Sequence, residues 1–333
     1  MTVYGNRDTV LVTGGAGFIG SNIARAFAQD GYRVVVADWL ESGPKWRNLQ
    51  DVLVDDVIRP EAVLPFLERD GGRVRAVIHM GAISATTETD GDKIVSQNIR
   101  ASLDLWELCA RKGLPFIYAS SAATYGDGSR GFGDAETLAD LMSLAPLNLY
   151  GWSKLMADRR FLSDVAAGRA HPPQWAGLRF FNVYGPGEEH KGDMRSVIHK
   201  IYPTAAAGEA VTLFKSHDPG YADGGQLRDF VYVADCVAVV RWLVETPSVS
   251  GIFNIGTGTA RSFADLARAV FSAAGREPRI DYVDMPERIR GAYQYFTQAD
   301  MTKLRAAGFH QPFTSLEDGV SQYVSAHLRA RNG

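Results

Sequence analysis

Two cysteines in 333 residues, Cys109 and Cys236, are too few to staple a secreted scaffold. No apolar run approaches the ~18 residues that a membrane-crossing helix requires. The stretch Met1–Thr9 is polar and has no apolar core of the kind a signal peptide carries, so a cytoplasmic protein is expected. The seven histidines show no His-Glu-x-x-His pair and no clustered ligand spacing, so no metal site is expected. Charge of one sign is lacking too. Thirty-five Lys+Arg against 38 Asp+Glu leave a formal charge of −3, which gives no electrostatic case for nucleic-acid or membrane partners. What remains is an ordinary globular composition, 46% hydrophobic and 22% charged, with length for a substantial core.

The first half alternates short apolar runs with amphipathic segments. Val10–Val12, Arg33–Ala37, Ala76–Ile78 and Phe116–Ala119 are brief and rich in β-branched or aromatic residues, as buried parallel strands are. Ser21–Gln29 and Ala101–Arg111 carry apolar residues at helical spacing, with Gly31 and Gly113 placed just beyond them as helix stops. This alternation predicts an α/β fold, a doubly wound parallel sheet of the Rossmann type. The second half is less regular. Gly177–Phe181, Phe230–Val233 and Gly251–Gly256 read as strands, Phe263–Ala274 and Leu316–Arg329 as helices, and His217–Gln226 as an exposed, mobile loop. The expected layout is a cofactor-binding domain of residues 1–180 plus 229–257, and a smaller substrate-binding domain of residues 181–228 plus 258–333.

The first strand leads directly into Gly14-Gly15-Ala16-Gly17-Phe18-Ile19-Gly20. Gly14 suits a tight turn, Gly17 lets the backbone approach a pyrophosphate, and Gly20 allows close packing of the helix that begins at Phe18. The phosphates would then lie at the positive end of that helix. Asp38 ends the second strand about 20 residues on, where a carboxylate can bind the adenosine ribose and favour NAD. Lys45 follows in the next loop and could instead neutralise a 2′-phosphate, so the residues leave NAD and NADP both open. Met80, Gly81 and Ala82 follow a further strand and are small enough, at Gly81 and Ala82, to let the chain pass close to a cofactor. Asn98 begins the next helix in this reading and is counted with the cofactor site, either capping the helix or holding backbone or the active-site strand in place.

About 130 residues after the glycine turn comes Tyr150-Gly151-Trp152-Ser153-Lys154. Tyr150 and Lys154 are four apart and share one helix face. A phenol titrates near 10 and is a poor base at neutral pH, but a neighbouring ammonium favours the phenolate. Tyr150 could then exchange a proton with a substrate hydroxyl while hydride passes to a nicotinamide, with Lys154 also placed for the nicotinamide ribose. Ser121, at the carboxyl end of the strand after Phe116, is the first choice for a hydrogen bond to the reacting oxygen. Ser120 is the second.

These elements together are similar to the extended short-chain dehydrogenase/reductases that act on nucleotide sugars. Arg179-Phe180-Phe181-Asn182-Val183-Tyr184-Gly185-Pro186 and Arg228-Asp229-Phe230-Val231-Tyr232-Val233-Ala234-Asp235 resemble two further elements of that family. Glu189-His190-Lys191-Gly192 and Tyr293-Gln294-Tyr295-Phe296-Thr297-Gln298-Ala299-Asp300 resemble its branch that inverts carbon 6″ of an ADP-linked heptose for the lipopolysaccharide core. The resemblance implies NADP as cofactor, with NAD possible. It implies transient oxidation at carbon 6″, with Tyr150 and Lys191 as the two acid/base groups. It also implies cofactor contacts from Phe18, Ile19, Asp38, Trp39, Lys45, Met80, Gly81, Ala82, Ser84 and Val183, and substrate contacts from Asn182, Lys191, Phe214, Arg228 and Tyr293. The implied assembly is a homo-oligomer, a pentamer.

Some positions depart from the pattern: Asp193 replaces a serine, Lys200 a histidine, Ala292 a basic residue and Trp39 an asparagine, and the loop 217–226 is longer. A UDP- or GDP-sugar epimerase would keep Ser121, Tyr150 and Lys154 but has no evident use for Lys191. A 4,6-dehydratase needs an acidic pair after the fifth strand, where this chain has Ala122-Ala123-Thr124. A non-catalytic NADP-binding subunit would be expected to have lost Tyr150 or Lys154.

Overall fold

The computed structural model describes residues 8–134, 137–290 and 293–328. Its centre is a seven-stranded sheet in which every neighbouring pair is parallel. The strands are β1 (Thr9–Thr13), β2 (Arg33–Ala37), β3 (Asp56–Ile58), β4 (Val74–His79), β5 (Phe116–Ser121), β6 (Trp175–Phe180) and the strand Gly251–Ile255. In space the order runs from Gly251–Ile255 through β6, β5, β4 and β1 to β2 and β3. The winding reverses between β4 and β1, so a crevice opens there at the carboxyl ends of the strands, where ligands bind in sheets of this kind. The doubly wound parallel sheet is as expected. The short edge strand β3 escapes the sequence reading because its three residues are too few to carry a pattern.

Both sheet faces are covered, which is why the strands read as continuous apolar runs. One core packs Val10, Val12, Val34 and Ile78 against Ile23 and Phe27 of α1 (Phe18–Gln29) and against Val239 and Val240 of the helix Val233–Glu245. The other packs Leu11, Val77, Phe116 and Tyr118 against the helices Ala101–Lys112 and Leu149–Ala166. There Trp106 stacks on Phe161 with ring centroids 4.2 Å apart, joining those two helices beneath the crevice. Gly113 closes the first of them in the left-handed conformation (φ +62°), the stop that its sequence position predicts.

A third core lies beyond the sheet. It gathers Ile198 and Tyr202, Leu266 and Phe271, Val320 and Tyr323 from the helices Val197–Ala206, Phe263–Ala274 and Leu316–Tyr323. The last of these continues as a π-helical turn to Leu328, and the remainder of the expected helix, Arg329, lies outside the described residues. Two carboxylates of the Arg228–Asp235 element tie this part to the sheet. Asp229 accepts from the backbone N–H groups of Thr257, Gly258 and Ala299 at 2.7–3.0 Å. Asp235 accepts from the N–H and hydroxyl of Thr314, both at 2.9 Å. The loop 217–226 is exposed along much of its length, yet it is braced on Tyr295: the N–H of His217 donates to Tyr295 Oη at 2.9 Å, and the ring of Tyr221 lies 5.1 Å from that of Tyr295.

Candidate active site

The crevice is a cleft of about 900 Å³. Ser121, Tyr150, Lys154 and Lys191 all line it, as do Gly14, Gly17, Phe18, Ile19, Gly20, Asp38, Trp39, Lys45, Met80, Gly81, Ala82, Ser84 and Val183. Segments almost 180 residues apart in the chain thus meet around one volume.

Its floor is the glycine turn. Gly14 has φ +63°, and a Cβ there would stand 2.7 Å from Gly81 Cα. The two strand ends on either side of the switch point therefore touch backbone to backbone. A Cβ on Gly20 would lie 2.1 Å from the carbonyl oxygen of Gly14, so α1 can seat on the turn only without one. Gly17 is the N-cap of α1 and has no side chain to offer the N–H groups of the first turn. Those donors, with the positive end of the helix dipole, suit a phosphate. This turn fits a dinucleotide.

Asp38 is buried, and both its oxygens are occupied. Oδ2 accepts from the N–H of Ala16 at 2.9 Å, and Oδ1 is paired with Lys45 Nζ at 2.9 Å. Lys45 also donates to the carbonyl of Trp39 at 3.1 Å. Its turn, Pro44–Leu49, carries a residue that the sequence reading missed. Asn48 is buried and its Nδ2 lies within 2.9–3.2 Å of the carbonyls of Ala16 and Gly187 and of His190 Nδ1. It fastens the glycine turn to the segment that carries Lys191. No local pattern marks Asn48, because all three partners are distant in sequence or across the cleft.

On the opposite wall, the helix Leu149–Ala166 starts at Asn148, whose side chain accepts from the N–H of Gly151 at 2.8 Å. This cap places Tyr150 in the first turn and Lys154 one turn further on. Lys154 Nζ lies 6.0 Å from the centre of the Tyr150 ring. Burial pushes Lys154 down to about 8, with Asp158 acting in the opposite direction. Burial raises the Tyr150 phenol, while a hydrogen bond with Ser121 acts to lower it. The expected lowering of Tyr150 is therefore not what the free protein has: the phenol is held protonated, because desolvation of the phenolate is the larger effect.

Packing gives the two serines different partners. Ser120 Oγ donates to Asp158 Oδ2 at 2.9 Å and is committed to a buried network, whereas Ser121 Oγ accepts from the N–H of Ala123 and bonds Tyr150. After it, Ala122–Tyr125 form a 3₁₀ turn with Thr124 fully buried and its hydroxyl donating to the Ser121 carbonyl at 2.7 Å. No carboxylate stands at this turn.

Lys191 enters from the turn Glu189–Met194 with its Nζ 5.3 Å over the Phe18 ring. Burial lowers its pKa, offset in part by Glu188. Glu188 is itself buried and accepts from the N–H and hydroxyl of Ser196, which caps the helix Val197–Ala206.

Of the two readings of Asn98, the structure keeps the backbone-holding one and removes the cap and the place in the cofactor site. The residue neither caps a helix nor lines the cleft, because helical backbone is continuous from Gly91 through a π-helical turn at Val95–Arg100 into Ala101–Lys112. Its side chain instead holds the loop over the cleft. Oδ1 accepts from the N–H of Ile83 at 2.8 Å, and Nδ2 donates to the Ile83 carbonyl and to Ser153 Oγ, each at 3.0 Å. A second buried group nearby is His79, which lines the cleft. Its Nδ1 is 2.6 Å from Thr13 Oγ1 and its Nε2 is 3.0 Å from Ser102 Oγ. Burial pushes it down to about 3, so it is neutral.

Asn182, Phe214, Arg228 and Tyr293 lie outside the cleft lining. Arg228 and Tyr293 do stand together, the guanidinium 5.3 Å over the Tyr293 ring and 5.7 Å over that of Phe263. Burial lowers the Arg228 pKa, and its hydrogen bond is to the carbonyl of Leu227 at 2.8 Å, not to a carboxylate. Such a guanidinium suits an anion. Gln294 links this segment to the end of the turn that follows β5, donating to the Gly126 carbonyl at 2.8 Å. Asn182 is exposed and Phe214 half-buried at the end of the strand Val211–Phe214. Ala292 lies outside the described residues.

Fold and cleft define a dinucleotide-dependent enzyme of the Rossmann type, and residues 10–256 match the NAD dependent epimerase/dehydratase family. The chain belongs to that family. It is 50% identical over 323 residues to the ADP-L-glycero-D-manno-heptose-6-epimerase of Nitratidesulfovibrio vulgaris, a match covering 96% of this chain and 98% of that one. Among solved structures it is similar to the ADP-L-glycero-D-manno-heptose-6-epimerase of Helicobacter pylori, with TM-score 0.80, 29% identity, and 99% and 100% of the two chains covered. It is also similar to the UDP-glucose 4-epimerase of Thermus thermophilus in complex with NAD, with TM-score 0.73, 28% identity, and 96% and 99% covered. Among the described residues no group of His, Cys, Asp and Glu could hold a metal, and no helix is long and apolar enough to cross a membrane.

Proposed function

We propose that this chain interconverts ADP-D-glycero-D-manno-heptose and ADP-L-glycero-D-manno-heptose by transient oxidation at carbon 6″, and serves lipopolysaccharide core synthesis. The observation that carries it is the meeting of Lys191 with the Ser121–Tyr150–Lys154 group in one cleft, together with the full-length similarity to enzymes of that name. A bound nicotinamide supplies the chemistry of hydride acceptance and return. Tyr150 takes or gives the hydroxyl proton on one face of the sugar, and Ser121 orients the oxygen by a hydrogen bond. Lys154 supports the phenolate and reaches the nicotinamide ribose. Lys191 serves the oxygen when the keto sugar presents its other face, because one phenol cannot reach both positions without moving. Arg228 holds the diphosphate through charge-assisted hydrogen bonds, with Tyr293, Phe214 and Asn182 completing the nucleotide-sugar end.

For the cofactor, we favour NADP over NAD. Asp38 is already bonded to Lys45 and Ala16, so its charge is offset where a 2′-phosphate would approach, and Lys45 supplies a cation there. We also assign residues 1–180 plus 229–257 to cofactor binding and the remainder to the substrate, in a homo-oligomer working in the cytoplasm. An elimination reaction is disfavoured by the lack of a carboxylate at Ala122–Tyr125, and a non-catalytic role by the intact Tyr150 and Lys154.

Purified protein incubated with ADP-D-glycero-D-manno-heptose, with no added cofactor, should invert carbon 6″, followed by NMR. Absence of inversion with and without added NADP+ or NAD+ would refute the heptose reading and turn attention to UDP- and GDP-sugars.

A further inference from the structure

We propose that Asp158 is a positioning residue for the reaction: one helical turn beyond Lys154, it holds that lysine as an ammonium and fixes the end of β5 that carries Ser121. This rests on the reading that Tyr150 and Lys154 handle the substrate proton.

Asp158 has no exposed surface and is four residues after Lys154, on the same face of the helix Leu149–Ala166. Its two oxygens take four donors. Oδ1 accepts from Tyr118 Oη at 2.9 Å, and Oδ2 accepts from Ser120 Oγ at 2.9 Å and from Arg179 Nη2 and Nε at 3.0 and 3.2 Å. Tyr118 and Ser120 are two apart on β5 and Arg179 is on β6, so one carboxylate clamps two strands to the catalytic helix. Ser121 is the next residue along from the clamped Ser120, and its direction toward Tyr150 depends on that clamp.

The second effect is electrostatic. Lys154 is 3% exposed, and burial favours the neutral amine. The groups facing it are Asp158 and Tyr150 from its own helix and His79 from β4, which is neutral and adds no repulsion. Asp158 is thus the carboxylate that opposes burial, and Arg179, Tyr118 and Ser120 hold Asp158 in place. With it, Lys154 titrates at about 8. Without it, desolvation acts alone and the lysine loses its proton at lower pH, where a neutral amine no longer favours the Tyr150 phenolate.

The test is the titration of Lys154 itself, read by ¹³C NMR of lysine labelled at Cε in the intact protein, beside the pH profile of epimerisation. In Asp158→Asn, the Lys154 transition should move down by one pH unit or more. The alkaline limb of kcat should move with it, leaving activity at pH 8, relative to each protein's own optimum, about fivefold or more below wild type. Asp158→Glu keeps the charge and should return the limb toward the wild-type position even where kcat is lower. A purely structural carboxylate would lower kcat evenly across the pH range, so an unmoved Lys154 transition in Asp158→Asn overturns the proposal. If that variant does not fold, Asp158→Asn/Arg179→Gln removes buried charge of both signs and is read by the same criterion. The NMR titration needs no substrate, so inactivity of the wild type on ADP-heptose would count against the substrate reading alone.

Discussion

Under the proposed preference for NADP, replacing Lys45 by methionine should shift this protein toward NAD. Lys45 Nζ is 2.9 Å from Asp38 Oδ1, and the two side chains are 25% and 7% exposed. Methionine keeps the length of the apolar stem and removes the ammonium. A hydrogen bond to a charged group contributes about 1.5–3 kcal/mol, so losing the contact to a 2′-phosphate should weaken NADP+ binding about 10- to 150-fold. The same substitution leaves Asp38 without its countercharge, held only by the N–H of Ala16. Its restored negative charge repels the phosphate and leaves a carboxylate able to accept from a ribose hydroxyl. NAD+ affinity should therefore change by no more than about threefold, in either direction. The fold should lose about 1–3 kcal/mol, because the substitution takes the donor from one oxygen of the buried Asp38 carboxylate. Equilibrium titration of NADP+ and NAD+ against intrinsic tryptophan fluorescence measures both affinities on one sample. A loss shared equally by both dinucleotides would refute the placing of Lys45 at the 2′ position, and the argument from Asp38 with it.

The other expectations are local. Tyr150→Phe should lower turnover by about 10²- to 10⁴-fold while dinucleotide affinity stays within twofold, since a general acid/base contributes that much and the ring is kept; rate and binding measured together check this. Gly20→Ala should abolish dinucleotide binding and lower the thermal midpoint, because its Cβ would lie 2.1 Å from the Gly14 carbonyl oxygen, a backbone atom that cannot step aside. Lys191→Met should lose inversion at carbon 6″ by at least about 10²-fold with the thermal midpoint nearly unchanged, an outcome that NMR and calorimetry can test. His79 titrates at about 3 in the fold against 6.5 when exposed, so between those values the unfolded chain binds a proton that the folded one does not. Its contribution to stability is complete above pH 6.5 and is lost at about 1.4 kcal/mol per pH unit as pH falls from 6.5 toward 3. Urea unfolding of His79→Gln between pH 6.5 and 4 should show a shallower pH dependence than the wild type, and an unchanged slope would refute the assignment.

The sheet was legible because parallel strands buried on both faces must be continuous apolar runs, and runs such as Val34-Val35-Val36 stand out from any surroundings. Helix ends at Gly31 and Gly113 were legible for a similar reason: a left-handed residue without a Cβ penalty is a local requirement. β3 was not, because three residues at a sheet edge carry too little pattern. The helical stretch around Asn98 was misjudged on the same ground, since an asparagine looks like a cap unless one knows that Gly91–Ile94 already forms a turn before it.

The sequence alone determined which chemical groups exist and how near neighbours share a face: the glycine turn, the four-residue step from Tyr150 to Lys154, and the absence of carboxylates from Ala122–Tyr125. These are matters of one strand, one turn or one helix, where spacing is geometry. Only the tertiary structure decided what each group is free to do. Asp158 claims Ser120 and leaves Ser121 to bond Tyr150; Lys45 claims Asp38; desolvation keeps the Tyr150 phenol protonated and brings Lys154 down to about 8. Each of these depends on partners brought together from distant strands or turns, or on how much water packing has removed. Local order in the chain specifies neither.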